Sequence, residues 1–195
     1  MTDVQRTFAI LLLAAGGSSR LGRPKQLVPW HGTTLVRHLA CEALAANPQT
    51  VLVITGAWSE EVELELRGLD VRVVHHEGWK EGMGSSISAG MRAVPPEAAS
   101  AILLASDQPY VTFHHMNRLA EVWRTSGRSI VASRYNSILG PPVLFDRMVF
   151  RELADLRGDL GARKIVAAHG AEAVDFPDGA IDVDTPDDLE RLRIG

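Results

Sequence analysis

Hydrophobic stretches of strand length alternate along this chain with stretches whose apolar residues recur at helical spacing. The first kind predicts strands over residues 8–14, 51–55, 71–75, 101–105, 130–133, 142–145 and 173–176. The second kind is clearest in residues 34–46, where the apolar side chains fall on one helical face. Helices are also predicted over residues 59–67, 85–93, 112–125, 146–156 and 159–169, and a short one begins near Thr185.

Strands that alternate with helices are typical of a mostly parallel sheet covered by helices on both faces. At 195 residues the chain has the length of one domain and can bury a sizeable core. We therefore predict a single α/β domain over residues 1–195, Rossmann-like, with three α/β/α layers. Ligands of such sheets bind beyond the carboxyl ends of the strands, so polar residues that follow the strands are the candidates for a site.

The most informative polar residues follow the first strand. The apolar run ends at Ala15 and gives way to Gly16-Gly17-Ser18-Ser19, after which three cations fall within six residues, at Arg20, Arg23 and Lys25. Glycines let backbone N–H groups approach an anion, serine hydroxyls add donors, and an arginine grips phosphate oxygens in pairs. The segment therefore predicts a loop that binds a polyphosphate.

Two well-known phosphate loops do not match this segment. Gly17 and Gly22 have the glycine spacing of a Walker A loop, but Arg23-Pro24 stands where a lysine and a serine or threonine are required. The dinucleotide pattern G-x-G-x-x-G fails because Ser18 occupies the place of its second glycine. The loop therefore belongs to another class of phosphate-binding protein.

Two carboxylates at predicted element ends are candidates for a metal site. Asp107 follows the strand 101–105, and Mg²⁺ in proteins is often held by one or two carboxylates together with phosphate oxygens. An aspartate before Pro109 is equally well explained as a turn former. Asp184 precedes Thr185-Pro186-Asp187-Asp188, which has the sequence of a helix cap, so it is either a second metal ligand or only the residue before the cap.

A second anion-binding segment is predicted where the helix 85–93 begins. Gly82, Ser85 and Ser86 follow the strand that ends near His75, and small residues at a helix start leave backbone N–H groups open to an anion. Ser85 is also explained as a simple helix N-cap.

Composition narrows the classes of function. The net charge of −4 disfavours nucleic acid as a partner. The longest apolar run covers about half a membrane span, and residues 1–6 do not resemble a signal peptide, which predicts a cytoplasmic protein without a membrane partner. Cys41 alone cannot form an internal disulfide, and its place among Leu39 and Leu44 predicts a packed thiol. The tryptophans are scattered and predict core or rim positions rather than a stacking platform: Trp30, Trp58, Trp79 and Trp123.

The chain resembles the MobA-like NTP transferases, and among them the molybdenum cofactor cytidylyltransferases. The family signature L-A-A-G-x-S-x-R-x-G-x-x-K is matched at Leu13, Ala14, Ala15, Gly16, Ser18, Arg20, Gly22 and Lys25. Further signatures match in the right order: the Gly-x-x-x-Ser element around Gly82, the Asp-x-Pro element at Asp107, Gly158-Asp159-Leu160-Gly161-Ala162-Arg163, and Asp182-Val183-Asp184-Thr185-Pro186-Asp187-Asp188-Leu189. The resemblance implies the nucleotide-diphospho-sugar transferase fold.

The resemblance also implies roles for particular residues. It makes Arg20, Lys25 and Asp107 catalytic, and Asp107 and Asp184 the ligands of Mg²⁺ as cofactor. It implies nucleotide contacts from Leu13, Ala14, Ala15, Gly16, Gly17, Ser18, Ser19, Arg20, Lys25, Gly82, Ser85 and Ser86. It places Gly140, Pro141, Asp159 and Arg163 on the acceptor side.

The activity implied is transfer of a nucleoside monophosphate from a nucleoside triphosphate to a small phosphorylated acceptor, with release of pyrophosphate. Ala14-Ala15-Gly16 resembles the cytidylyl branch, whereas the guanylyl branch has Ala-Gly-Gly. This favours CTP, because a methyl group at Ala15 narrows the space under a larger purine, and it favours a molybdopterin-type acceptor. Pro141 departs from the cytidylyl branch, which carries histidine there, and this weakens the acceptor assignment.

Several alternatives stay open at this point. The chain could transfer guanylate, serve as an accessory protein in cofactor maturation, or use NAD(P)H as an oxidoreductase on the same scaffold, since a fold does not fix a function. A molybdenum enzyme or its maturation factors remain open as protein partners. The chain itself is predicted to be a monomer.

Overall fold

A computed structural model describes residues 7–18, 21–185 and 188 of the chain. In chain order its strands and helices are β1 (Phe8–Ala14), β2 (Pro29–Trp30), β3 (Thr33–Thr34), α1 (Leu35–Ala45), β4 (Thr50–Thr55), α2 (Ser59–Glu65), β5 (Arg72–His75), α3 (Met83–Ala93), β6 (Ser100–Ala105), α4 (Phe113–Ser126), β7 (Ile130–Tyr135), β8 (Ile138–Asp146), α5 (Phe150–Ala154), α6 (Arg163–His169) and β9 (Glu172–Asp175). Short 3-10 helices lie at Lys25–Leu27, Trp79–Glu81, Arg147–Val149 and Pro177–Ala180. None of the helices within the described ranges is long and apolar enough to cross a membrane.

The main sheet has seven strands among the described residues, in the order β5-β4-β1-β6-β8-β7-β9. The strands β5, β4, β1 and β6 are parallel neighbours, as are β7 and β9, while β8 runs antiparallel to both β6 and β7. The mostly parallel α/β fold predicted from the sequence is therefore confirmed. The carboxyl ends of β5, β4, β1, β6, β7 and β9 all meet at one edge of the sheet, together with the start of β8.

Two hydrophobic cores lie on the two faces of the sheet. Along β1, Ile10 and Leu12 belong to the core that includes residues of α1 and α4. The alternate residues Ala9 and Leu11 belong to the core that includes residues of α3 and α5. Because both faces of β1 are covered, every second residue must be apolar on each side, which explains the nearly unbroken apolar run of this strand.

Three of the predicted elements begin four residues away from their predicted start, whereas the others within the described residues agree to within two residues at each end. The strand expected at 142–145 is the longer β8, because it forms a hairpin with β7 through Asn136 and Ser137, whose φ angles are positive. The helix expected at 146–156 begins as a 3-10 turn, and its α-helical part is only α5. The helix expected at 159–169 begins only at Arg163, because the preceding segment packs against α3 through the bond from the Gly84 N–H to the Gly158 carbonyl (2.8 Å).

One expectation about a single residue was wrong. Cys41 is exposed rather than packed, because it lies on the side of α1 turned away from the buried stripe that contains Ala40 and Ala43.

A half-buried histidine positions the start of β8 against α4. The Nε2 atom of His115 lies 2.7 Å from the Ser133 hydroxyl, which in turn donates to the Pro142 carbonyl (2.7 Å). Because the Ser133 hydroxyl donates its proton to the Pro142 carbonyl, its oxygen acts as the acceptor toward His115. The ring proton of His115 is therefore on Nε2. The ring stacks on Phe176 with 4.1 Å between centroids, and burial lowers the pKa of His115 to about 4.

We expect this histidine to make the fold less stable in mild acid. Its pKa is about 4 in the folded protein and near 6.5 in an unfolded chain, so the unfolded state binds more protons in between. The stabilising contribution is therefore complete above pH 6.5 and is lost as the pH falls towards 4. Between pH 7 and pH 5 the free energy of unfolding should fall about 1–2 kcal/mol more in the wild type than in His115→Gln. Urea unfolding at both pH values measures this difference, with replacement of an exposed histidine, His114→Gln, as the control; equal losses in the wild type and His115→Gln would contradict the prediction.

Candidate functional site

The carboxyl edge of the sheet carries the glycine loop, Asp107 and Pro141, which were predicted to serve function, together with residues that were not, in the order of its strands. Trp79 follows β5, Gly56 follows β4, the glycine loop follows β1 and Asp107 follows β6. Beyond them come Pro141 near the start of β8, Tyr135 at the end of β7 and the 3-10 helix Pro177–Ala180 after β9. Residues far apart in sequence thus form one continuous edge.

A buried glutamine holds the glycine loop in shape. The side chain of Gln26 is fully buried, and its Nε2 atom donates to the carbonyls of Ala14 and Gly16, both at 2.9 Å. Because both carbonyl oxygens accept hydrogen bonds from Gln26, they point away from the open side of the loop and do not repel an anion that binds there. A Cβ atom placed on Gly16 would meet nothing within 4 Å, so the space beside this residue is open.

Ser18 is a structural part of the loop rather than a free donor. Its hydroxyl accepts from the backbone N–H of Lys25 (3.0 Å) and donates to Oε1 of Gln26 (3.4 Å). Its backbone has a positive φ of 52°, and its carbonyl accepts from the N–H of Leu21 (3.1 Å). In this arrangement the proton of the hydroxyl is directed to Gln26, and the phosphate contact expected of Ser18 stays a prediction. Ser19 and Arg20, on which the same expectation fell, lie outside the described residues.

The structure brings three predicted residues together beside the loop. The ammonium group of Lys25 lies 2.5 Å from Oδ2 of Asp107 and 3.3 Å from Oδ1 of Asp184. These partners are 82 and 159 positions away from it in the chain. About four fifths of each side chain of Lys25 and Asp107 is buried, so their charges interact more strongly than a surface pair.

The charges in this cluster change the protonation of two of its members. Burial alone would lower the pKa of Lys25, but the charges of Asp107 and Asp184 and the hydrogen bonds to them outweigh it and raise its pKa. Asp182 lies nearby, and burial together with the charges of Asp107 and Asp184 raises its pKa. Lys25 is therefore fully charged, and the carboxylates around it outnumber this one cation.

The donor set fits a divalent cation that arrives with phosphate. Asp107 and Asp184 already hold one cation between them, the ammonium group of Lys25, so their oxygens converge on a single point. Among the described residues no group of three or more His, Cys, Asp or Glu side chains could hold a metal by itself. Two carboxylates completed by phosphate oxygens are, however, a typical Mg²⁺ arrangement.

Asp184 is positioned by the cap that follows it. The Thr185 hydroxyl accepts from the Asp188 N–H (3.3 Å), while the Asp188 carboxylate accepts from the Thr185 N–H (2.8 Å). This reciprocal pair is the capping box predicted from the sequence. The body of the terminal helix lies outside the described residues. The Val183 N–H donates to the Asp107 carbonyl (2.9 Å), which ties the extended segment before Asp184 to the loop that carries Asp107.

The start of α3 is less open to an anion than its sequence predicted. Gly82 is the N-cap, and the Gly84 N–H is already used by the Gly158 carbonyl. Ser85 and Ser86 are buried, and the Ser85 hydroxyl donates to the Gly82 carbonyl (2.7 Å) while it contacts Nε2 of His76 (2.9 Å). Ser85 is therefore neither the N-cap nor a free donor, and its role is to fix the first turn of the helix.

The alanines at the end of β1 also point inwards. Ala14 and Ala15 are buried, and the methyl group of Ala15 belongs to the core that includes Leu11 and Ile87. Leu13, the remaining predicted contact of this stretch, is half-buried. The methyl group of Ala15 thus packs in the core, and the nucleotide contact expected of this residue stays a prediction.

The predicted acceptor residues fall into two places. Gly140 and Pro141 lie beside Gln108, whose Nε2 atom donates to the carbonyls of Pro141 (3.1 Å) and Gly179 (2.9 Å). Asp159 packs against Gly82, where an added side chain would collide with it, and Arg163 is exposed at the start of α6.

Tyr135 links these two places to the carboxylates. Its hydroxyl lies against Gly140 and within 3.5 Å of Nε2 of Gln108. Burial raises the pKa of Tyr135, and the charges of Asp107, Arg163 and Asp182 act on it as well. The tyrosine thus stands between the carboxylate cluster and the cation at the start of α6.

Sequence reasoning missed the residues that shape this site from behind. Gln26 and Gln108 are almost fully buried amides next to predicted functional residues, and Tyr135 ends a strand at the functional edge. The sequence does show that Gln26 and Gln108 are polar residues next to the glycine loop and to Asp107. It does not show that their side chains are buried.

The strand order and the loop beside the carboxylates define an α/β fold of the nucleotide-diphospho-sugar transferase kind, shared with solved nucleotidyltransferases. The chain belongs to the MobA-like NTP transferase family, because the profile of that domain matches residues 10–174. The family is one of nucleotidyltransferases that use divalent metals.

Three relatives show the range of the family. The nicotine blue oxidoreductase of Paenarthrobacter nicotinovorans is 32% identical, over 93% of this chain and 94% of its own length. The molybdenum cofactor cytidylyltransferase of Escherichia coli is 23% identical, over 92% of both chains. The structure of Rv0371c from Mycobacterium tuberculosis H37Rv in complex with manganese is 32% identical, with a TM-score of 0.80 over 95% of this chain and 97% of that one.

Proposed function

We propose that this protein is a metal-dependent nucleotidyltransferase that moves CMP from CTP onto a small phosphorylated acceptor of the molybdopterin type. The observation that carries the proposal is the ammonium group of Lys25 held between Asp107 and Asp184, directly beside an open glycine loop. A loop of amides, a fixed cation and two carboxylates is a set of groups that suits a metal-bound triphosphate.

The reaction needs little from the protein besides position and charge. A phosphate oxygen of the acceptor forms a bond to the α-phosphorus of CTP as the bond from that phosphorus to the pyrophosphate oxygen breaks. A phosphomonoester has its second pKa near about 6, so the nucleophile is already anionic and needs no general base. The chain must hold two anions together and compensate the charge that grows on pyrophosphate.

Each group of the site has a distinct part in this scheme. The amides of the loop 16–18 and the ammonium of Lys25 would hold the triphosphate, and Arg20 remains a predicted third donor. A divalent ion, when bound, would be held by Asp107 and Asp184 and would supply positive charge to the phosphate oxygens. On the acceptor side, Arg163 supplies an exposed cation for the phosphate of the second substrate.

CTP as donor and a molybdopterin-type acceptor are supported by the Escherichia coli relative and by the Ala-Ala-Gly sequence of the loop. Pro141 stands where the cytidylyl branch carries histidine, and the Tyr135 hydroxyl lies against its neighbour Gly140. The cytoplasmic location, the monomeric state and a molybdenum enzyme or maturation factor as partner stay predictions.

A second candidate function is an oxidoreductase that uses NAD(P)H. It is favoured by the relative from Paenarthrobacter nicotinovorans, which is named nicotine blue oxidoreductase and matches this chain over nearly its whole length. Against it stand the missing G-x-G-x-x-G pattern and the carboxylates beside Lys25, which a dinucleotide reaction does not need.

Thermal unfolding in the presence of CTP, GTP, ATP and NADPH, each with and without Mg²⁺, tests the proposal. At a hundredfold excess over Kd a ligand adds about 2.7 kcal/mol of stability, which should raise Tm by about 5–10 °C in a chain of this length. We expect the largest shift with CTP and Mg²⁺. The sample without metal controls for binding that does not use Asp107 and Asp184.

Other outcomes would change the assignment in defined ways. A larger metal-dependent shift with GTP would move the protein to the guanylyl branch. A shift with NADPH alone, together with loss of absorbance at 340 nm when acceptors are added, would replace the transferase by the oxidoreductase.

A further inference from the structure

The glycine loop has two unlike sides along the edge of the sheet. Lys25 and the carboxylates lie on the β6 side, whereas the ring of Trp79 lies on the β4 and β5 side. Three strand spacings separate β5 from β6, which amounts to about 14 Å. A ligand that crosses the loop therefore meets charge at one end and an aromatic side chain at the other.

Two glycines make room for Trp79 at the loop. A Cβ atom on Gly56 would stand 2.7 Å from Cβ and 2.8 Å from Cγ of Trp79, closer than such atoms approach in proteins. A Cβ atom on Gly17 would stand 3.1 Å from Cη2 and 3.2 Å from Cζ3 of the indole. The stem of the side chain thus lies over Gly56, and the far edge of its six-membered ring reaches Gly17.

The remaining surroundings of Trp79 leave part of the ring open. The side chain packs against the core that contains Ala15, but it is only partly buried. The ammonium group of Lys80 lies 5.5 Å from the ring centroid, and the Lys80 side chain is exposed. An indole that is held against the backbone at Gly56 and Gly17 and is partly exposed offers ring surface to a flat ligand.

We propose that the indole ring of Trp79 forms a wall of the subsite for the nucleobase. A nucleoside triphosphate has a polyanionic tail and a flat aromatic base, so its tail is drawn to the Lys25 side and its base falls on the other side of the loop. There the indole supplies a stacking or edge contact that the base can use. This inference rests on the proposed nucleotide binding and adds the residue that recognises the base.

The assignment gives Trp79 a role beyond the packing predicted for the tryptophans. It also moves base recognition away from the methyl group of Ala15, which is buried in the same core that supports Trp79. Ala15 then acts on the base only by setting where the indole rests.

Binding of two probes separates the base contact from packing of the loop. Kd is measured by calorimetry for Mg²⁺·CTP and for Mg²⁺·tripolyphosphate, which has the charged tail and no base. Trp79→Ala should weaken binding of CTP by about tenfold or more and binding of tripolyphosphate by no more than about twofold. Trp79→Phe should retain most of the affinity for CTP, because a phenyl ring still offers an aromatic surface.

Trp58 provides a matched control on the opposite face of the sheet. Its Nε1 atom donates to the Gly17 carbonyl (3.4 Å), and its ring packs against the other core. Trp58→Phe should therefore change both Kd values by the same factor. Most of the quenching of tryptophan fluorescence by CTP should disappear in Trp79→Phe and persist in Trp58→Phe, and thermal melts confirm that each variant folds.

Each contrary result has a separate meaning. Equal losses for both probes in Trp79→Ala, or no loss for either, would overturn the inference and leave Trp79 as a packing residue. Wild-type binding of CTP no tighter than tripolyphosphate would also overturn it while the phosphate site stands. If the wild type binds neither probe, the proposed function itself fails, and the base subsite fails with it.

Discussion

Asp107→Asn is expected to reduce metal-dependent turnover by at least about 100-fold and to leave the fold intact. Asparagine has the same shape but no charge, so it keeps the backbone contact to Val183 and loses the strong attraction for a cation. Binding of CTP without metal should be affected less, because removal of a negative charge near the phosphates reduces repulsion. Initial rates over a range of Mg²⁺ and Mn²⁺ concentrations, combined with thermal melts, measure both effects.

Asp182→Asn is the matched control for this experiment. Asp182 lies in the same acidic surroundings, where the charge of Asp107 helps to raise its pKa, but the short contacts to Lys25 come from Asp107 and Asp184. We expect at most a few-fold change in its turnover. Full activity in Asp107→Asn would make this residue a turn former before Pro109 and would leave Asp184 as the better metal candidate.

Lys25→Met is expected to have opposite effects on its two kinds of ligand. It should weaken binding of the triphosphate by about 10- to 100-fold, because a hydrogen bond between charged groups is lost. Binding of Mn²⁺ in the absence of nucleotide should become at least about tenfold tighter, because Asp107 and Asp184 no longer have an ammonium group between them. Electron paramagnetic resonance of free Mn²⁺ measures the second effect without any enzymatic turnover.

Lys164→Met serves as the control for a general change of charge. Lys164 is an exposed lysine on α6, and its replacement removes the same charge from the molecule. It should leave Mn²⁺ binding unchanged. If Lys25→Met binds Mn²⁺ no more tightly than the wild type, the two carboxylates do not form a cation site, and the metal part of the proposal is wrong.

The position of Lys25 has a consequence for the order of binding. A metal ion that arrives alone must displace a fully charged ammonium group from between the two carboxylates. A metal ion that arrives with a triphosphate brings anionic oxygens that can receive this ammonium group in exchange. The proposed site therefore favours the metal–nucleotide complex over the free ion.

The family covers more than one chemistry, as the names of its oxidoreductase and cytidylyltransferase members indicate. Within one scaffold such differences must come from the groups beyond the loop, since the fold is common to both. In this chain the groups that we propose for this role are Pro141, Tyr135 and Arg163 on the predicted acceptor side and Trp79 at the other end. We expect variants at these residues to change the activity.

The amino-acid sequence by itself determined the type and order of most elements and the position of the phosphate loop. Periodicity and turn chemistry are local, so β1, α1 and α4 could be read from residues within a few positions of each other. The capping box of Thr185 and Asp188 was predictable for the same reason, because its partners are three residues apart. Arg20 and Ser19 stay predictions, since they lie outside the described residues.

Only the tertiary structure decided which distant residues share the site. Lys25 meets Asp184 across 159 positions because the strand order brings β1 and β6 side by side and returns the chain beside Asp107, which no local pattern encodes. The surroundings of a side chain likewise depend on residues that are distant in sequence. Cys41 is exposed, the Ser18 hydroxyl donates to Gln26, and the indole of Trp79 lies over Gly56, and none of these contacts follows from a local pattern. Local sequence patterns determined the positions of the glycine loop and the carboxylates along the chain. Long-range packing determined which side chains meet at the candidate site.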